Sequence, residues 1–185
     1  MPKKHLTALA LTTGILAAPV ASATDLEAEL QNYLDQQGGD ATCVLIGHVA
    51  MGLTSDINQL ADKTGRVTAS DLHDYIDSQR AKPQVQQGIQ KGVQQHLASN
   101  NIDGLASIAT AFYVADSDSK LMDVIVNATE NGRNKRSYLE AVLNATTVPC
   151  MASTLIDTPH GHHTISDLQA GIMESYRDLV NRYGQ

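Results

Sequence analysis

The chain has 185 residues, with 20 acidic against 13 basic side chains and a formal charge of −7. That balance argues against nucleic acid or an anionic membrane surface as a partner and suits a protein with a basic patch. With no Trp and a single Phe, Phe112, the core has to be built from Leu, Ile, Val, Ala and Met.

Lys3 and Lys4 precede an uncharged, Leu/Ala-rich stretch over 6–20, and Ala21-Ser22-Ala23 has the small-x-small form of a cleavage site. The stretch falls short of the roughly 20 apolar residues of a membrane span. Residues 1–23 therefore read as a cleaved signal peptide. Residues 24–185 read as a single all-helical domain in the periplasm or secreted, with no stable membrane insertion after cleavage. Loss of Lys3 and Lys4 takes the formal charge from −7 to −9.

Helical spacing dominates the chain beyond residue 23. Leu26, Leu30, Tyr33 and Leu34 predict a first helix over about 25–37, ended by Gly38-Gly39. Thr42 is the expected cap of a second helix carrying Cys43, Ile46, His48, Val49, Leu53, Ile57 and Leu60. Thr64-Gly65 is a turn. Thr68 or Ser70 then caps a third helix, with Asp71 in its dipole-favoured first turn. Lys82-Pro83 breaks the chain before a stripe of Val85, Ile89, Val93 and Leu97, which Asn100-Asn101 ends. Further helices are expected over about 105–114, 121–129 and 137–145. Residues 146–163 read as irregular, and a last helix runs over about 166–183 to Gly184. The fold class is all-α, a single domain of six to eight helices with one disulfide.

The two cysteines, Cys43 and Cys150, would bond to each other in an oxidising compartment. The closed loop spans about 106 residues, and the chain-entropy model assigns it roughly 4–5 kcal/mol. The segment 65–72 is echoed by 161–168, each with Thr-x-Ser-Asp-Leu. The echo is read either as one capping sequence used twice or as a trace of two related helical halves.

His160, His162 and His163 form the sharpest local cluster, the residue type that binds zinc or copper. Asp157 is the nearest carboxylate. A calcium loop over 62–71 fails because Arg66 stands where an oxygen ligand is needed. GxSxG, HExxH and phosphate-cradling glycine motifs are absent from the sequence. His48 and His96 lie on helices among apolar residues and read as packed or half-exposed side chains. Arg133, Lys135 and Arg136, the one basic cluster, read as a solvated helix start.

The run Cys43-Val-Leu-Ile-Gly47-His48-Val49-Ala-Met-Gly52-Leu53 resembles the Cys-x-Gly-Tyr-Val-x-Gly helix of small periplasmic immunity proteins of the Rap/Tai type. Those proteins protect bacteria from toxins of type VI secretion. Val67-Thr68, Asp71-Leu72, Tyr75-Ile76 and Lys82-Pro83 are similar to that family's second half. The resemblance covers about residues 40–98. It implies a helical, disulfide-bonded protein that binds a toxin. His48 stands where Tyr is usual, and Gly65-Arg66 replaces the family's second Cys, so neither a disulfide pairing nor binding residues are carried over.

The sequence thus points to an exported protein-binding or inhibitor protein, such as an immunity protein against a basic toxin or effector, rather than an enzyme. The alternatives are a periplasmic metal-handling protein using His160, His162 and His163, and a structural or chaperone-like periplasmic protein.

Overall fold

A computed structural model describes residues 23–115, 121–132, 156–158 and 161–185. Seven α-helices and one short hairpin are found among them: α1 (Ala23–Leu34), α2 (Asp40–Thr64), α3 (Ala69–Arg80), α4 (Pro83–Ala98), α5 (Ile102–Ala115), α6 (Leu121–Gly132), β1 (Ile156–Thr158), β2 (Gly161–His163) and α7 (Ile165–Tyr183). The architecture is helical, as the periodicity predicts. Residues 1–22 of the leader expected over 1–23, the basic cluster and the expected helix over 137–145 lie outside the described residues.

Three local expectations are corrected. The first helix stops at Leu34, and a 3-10 turn, Gln36–Gly39, bridges to α2. Gly39 (φ 97°), not Thr42, precedes the first residue of α2. Thr42 instead lies inside the helix, fully buried, and its hydroxyl donates to the Leu34 carbonyl at 3.0 Å. The side-chain amide of Gln169 donates to the same carbonyl at 3.0 Å. An orphan carbonyl at the end of α1 is thus satisfied by side chains from α2 and α7. Finally, the stretch read as irregular contains an antiparallel pair, Ile156 opposite His163 and Asp157 opposite His162. Three-residue strands carry too little alternation to signal themselves.

Two hydrophobic clusters meet along α5. One gathers Ile46, Ile57, Leu72, Leu121, Ile125 and Leu168 between α2, α3, α6 and the start of α7. The other gathers Leu30, Leu34, Val93, Leu105, Ile172 and Leu179 between α1, α4, α5 and the rest of α7. Helix α5 can sit among so many neighbours because its buried positions include Ala106, Ala109, Thr110 and Ala115. On α7, Gly171 lies against the Tyr113 ring so closely that a Cβ there would overlap it.

The repeated Thr-x-Ser-Asp-Leu segments adopt one structure. Thr68 and Thr164 each cap a helix, accepting from the amides of Asp71 and Asp167, whose carboxylates accept from the threonine amides in return. Leu72 and Leu168, one residue further on, are both fully buried in the first cluster. Replacing Thr68 or Thr164 by Ala should each cost about 1 kcal/mol in urea unfolding. The Thr68 hydroxyl, and then its amide, hold the Asp71 carboxyl below its ordinary 3.8. A lowered folded-state pKa adds stability above the unfolded value and loses it as pH falls through the folded one. The destabilisation of Asp71→Asn relative to wild type should therefore be full at about pH 7 and disappear on acidification through the carboxylate range, measured as urea midpoints across pH.

Candidate functional site

The residues singled out from sequence do not converge. Cys43 is fully buried on α2, whereas Cys150 lies outside the described residues. His162 and His163 belong to β2, and His160 lies outside the described residues. Register places Asp157 opposite His162. Among the described residues no group of three or more His, Cys, Asp or Glu is gathered to hold a metal ion. His48 is exposed on α2, and His96 is half-buried with its imidazole pressed against Gly104. The Asp71 carboxylate is spent on the cap of α3.

Among the described residues, two concavities share Arg80 and Phe112. The larger is a groove of about 550 Å³ between α2, α3, α5 and the start of α4. Its walls are aliphatic: Val49 and Leu53 from α2, Ile76 from α3, Val85 from α4, and Ala111 and Ala115 from α5. Gly52 lies in the α2 wall, and a Cβ built on it meets no atom within 4 Å. Polar groups sit on the α2–α3 side: Asp56, Tyr75 and Gln79. The Tyr75 hydroxyl donates to Gln59 at 3.3 Å. Burial, and then the neighbouring Asp56 carboxylate, raise its pKa, so the phenol stays neutral. A volume of several hundred Å³ lined by apolar side chains with a few polar groups on one edge is the usual form of a binding site.

The smaller concavity, about 270 Å³, is polar and lies between the C-terminal ends of α3 and α7, with Gln86 of α4 and Phe112 of α5 also lining it. Asp77 and Arg80 come from α3; Asp178 and Arg182 come from α7. Each pair is a helix-surface pair, Arg80 to Asp77 at 3.8 Å and Arg182 to Asp178 at 3.3 Å. Such pairs between partly exposed groups contribute about 0–1 kcal/mol, so neither guanidinium is firmly committed. Asp77 also faces His73, whose Nε2 lies 3.3 Å from its carboxylate while Nδ1 lies 3.3 Å from the Ala115 carbonyl. His73 thereby ties α3 to the C-terminal end of α5.

Arg80 separates the two spaces. Its guanidinium lies over the Phe112 ring, 4.6 Å from the centroid. Tyr183 meets the same ring edge-on at 6.4 Å and donates to Gln86 at 2.8 Å. The Gln86 side-chain amide in turn donates to the Arg80 carbonyl. The single Phe of the chain is thus the hub of the site. In the sequence, Phe112 stands out only as a mark of aromatic scarcity. The i, i+3 and i, i+4 charge pairs are legible on their helices, but not that two helices set them face to face.

No protein-family model matches the chain, and no curated protein and no solved structure matches it. The class is therefore defined by structure alone: among the described residues, a helical protein with one short hairpin, an apolar groove and an adjoining charged pocket. Among the described residues, no helix is long and apolar enough to cross a membrane.

The two glycines of contrasting surroundings give a direct check on this geometry. Gly52→Ala should stabilise the protein by about 0.5–1 kcal/mol, the helix-propensity difference, because the new methyl enters open space. Gly171→Ala should destabilise it by about 1–3 kcal/mol, because the methyl meets the Tyr113 ring. Thermal and urea unfolding of the two variants would read the opposite signs.

Proposed function

We propose that the protein is exported and works by binding another protein, as an inhibitor such as an immunity protein against a secreted toxin. The groove between α2, α3 and α5 carries this reading. It is wide, open and aliphatic, and its aliphatic walls carry no set of groups for bond-making chemistry. Its occupant is a cationic amphipathic helix of the partner, apolar face inward, the helix-in-groove mode of recognition. Charge favours that choice. The charged residues that line the groove are one carboxylate, Asp56, and one guanidinium, Arg80, so the preference for a cationic partner comes from the chain's net charge of −7. Complementary charge speeds association and suppresses wrong partners.

Export rests on the leader-like residues 1–23, with the periplasm or the exterior as destination. A Cys43–Cys150 bridge belongs to the same proposal. It is supported by the complete burial of Cys43 and by the absence of free thiols among the described residues. The resemblance to Rap/Tai-type immunity proteins over about residues 40–98 supports the toxin-binding role.

A designed Leu/Lys amphipathic helical peptide is the probe. It should bind the oxidised full-length protein, with affinity falling as salt rises because exposed charges are screened. Gly52→Leu, which fills the groove from a position with open space around it, should cut the affinity at least about tenfold, or roughly 1.4 kcal/mol. A Leu/Glu peptide of the same apolar face that bound equally well, or a Gly52→Leu variant that bound as wild type, would overturn the assignment of groove and occupant.

A further inference from the structure

The polar pocket between α3 and α7 has a composition that docking in the neighbouring groove does not use. Arg80 is the key residue. Its side chain is only 26 % exposed, and its guanidinium lies over the Phe112 ring, 4.6 Å from the centroid. Its nearest carboxylate oxygen, on Asp77, is 3.8 Å away, beyond hydrogen-bonding distance. Among the described residues the guanidinium makes no hydrogen bond. A guanidinium carries five N–H donors in a planar fork that matches a carboxylate. Here those donors are positioned, partly desolvated and unspent.

The remaining walls supply the complement. Asp178 and Arg182 form a second acid–base pair on α7. Ser175 offers a hydroxyl, and Phe112 and Leu179 offer apolar surface. Two cations and two carboxylates around a space of about 270 Å³ leave no net charge for a simple anion or cation to neutralise. They match a small ligand that carries both signs.

We propose that this pocket binds a free α-amino acid with an apolar side chain. Its carboxylate is taken by Arg80, and its ammonium is taken by Asp178. Arg182 assists the carboxylate, and the side chain lies against Phe112 and Leu179. The ligand is distinct from the groove's occupant, and the two sites share the Arg80–Phe112 wall.

Isothermal titration of the full-length protein with L-leucine, N-acetyl-L-leucine and L-leucinamide tests each half of the assignment. Leucine should bind with a Kd between about 1 μM and 1 mM, and each derivative at least about tenfold more weakly, since each lacks one charge. Arg80→Gln should weaken leucine at least about tenfold. Its fold is checked by circular dichroism, because the variant also loses the contact with Phe112. Arg182→Gln, at an exposed position, should weaken binding while leaving the unfolding curve unchanged. Absence of leucine binding up to about 10 mM would overturn the proposal. So would N-acetyl-leucine binding as tightly as leucine, which would mark the pocket as a receptor for a peptide C-terminus. Binding of the Leu/Lys peptide to the groove is scored separately, so either idea can fail alone.

Discussion

The packing of α7 across α5 is the contact on which the other elements depend. Gly171 gives up a side chain so that the Tyr113 ring can lie against the α7 backbone. Around this contact Ala106 and Ala109 on α5 and Ile172, Met173 and Tyr176 on α7 are buried in one cluster. A helix pair approaches this closely only where one partner is small, because interiors tolerate neither voids nor overlap. With α5 and α7 fixed, α1 and α4 have a shared surface to cover. Arg177 of α7 reaches Glu27 of α1 at 2.6 Å, an exposed pair that aligns the two helices more than it stabilises them. The phenol of Tyr176, buried and without a hydrogen-bond partner among the described residues, has its pKa raised by burial and then by Glu27. It contributes area to this cluster and lines neither concavity.

The repeated capping sequence gives the fold its second constraint. Both copies start a helix at a threonine and place a leucine in the same core. The capping box fixes where the helix begins, and a fixed beginning decides which residues fall on the inner face. One copy orients α3, which carries Asp77 and Arg80. The other orients α7, which carries Asp178 and Arg182. The helices that bound the polar pocket are thus started by the same local device, whether or not the two segments share an origin.

Phe112 links this scaffold to the surface. In a chain poor in aromatic residues it is one of the few large flat side chains available, and it is half-buried at the point where α3, α4, α5 and α7 meet. Arg80 over the ring and Tyr183 edge-on to it hold the ring in place. A cation held over a ring keeps its charge while part of its hydration is lost, which strengthens its interaction with any anion that replaces the water. The division of the surface into an aliphatic groove and a charged pocket follows from that one stack.

What the amino-acid order determines by itself is local. Periodic Leu, Ile and Val at Val85, Ile89, Val93 and Leu97, the Thr68 and Thr164 caps, and Pro83 at the start of α4 all act within a turn or two of helix, so the helices are legible with their ends shifted by a few residues. The end of α1 escapes a purely local reading because the Leu34 carbonyl is satisfied both by Thr42 and by Gln169 of α7, 135 positions away. The hairpin at Ile156–Thr158 and Gly161–His163 escapes it because three-residue strands leave no period to read. Only tertiary structure decides the site. Arg80 is set over Phe112, and Asp77 and Asp178 are brought to one pocket, by the way helices cross, and side-chain spacing along one chain holds no record of that crossing.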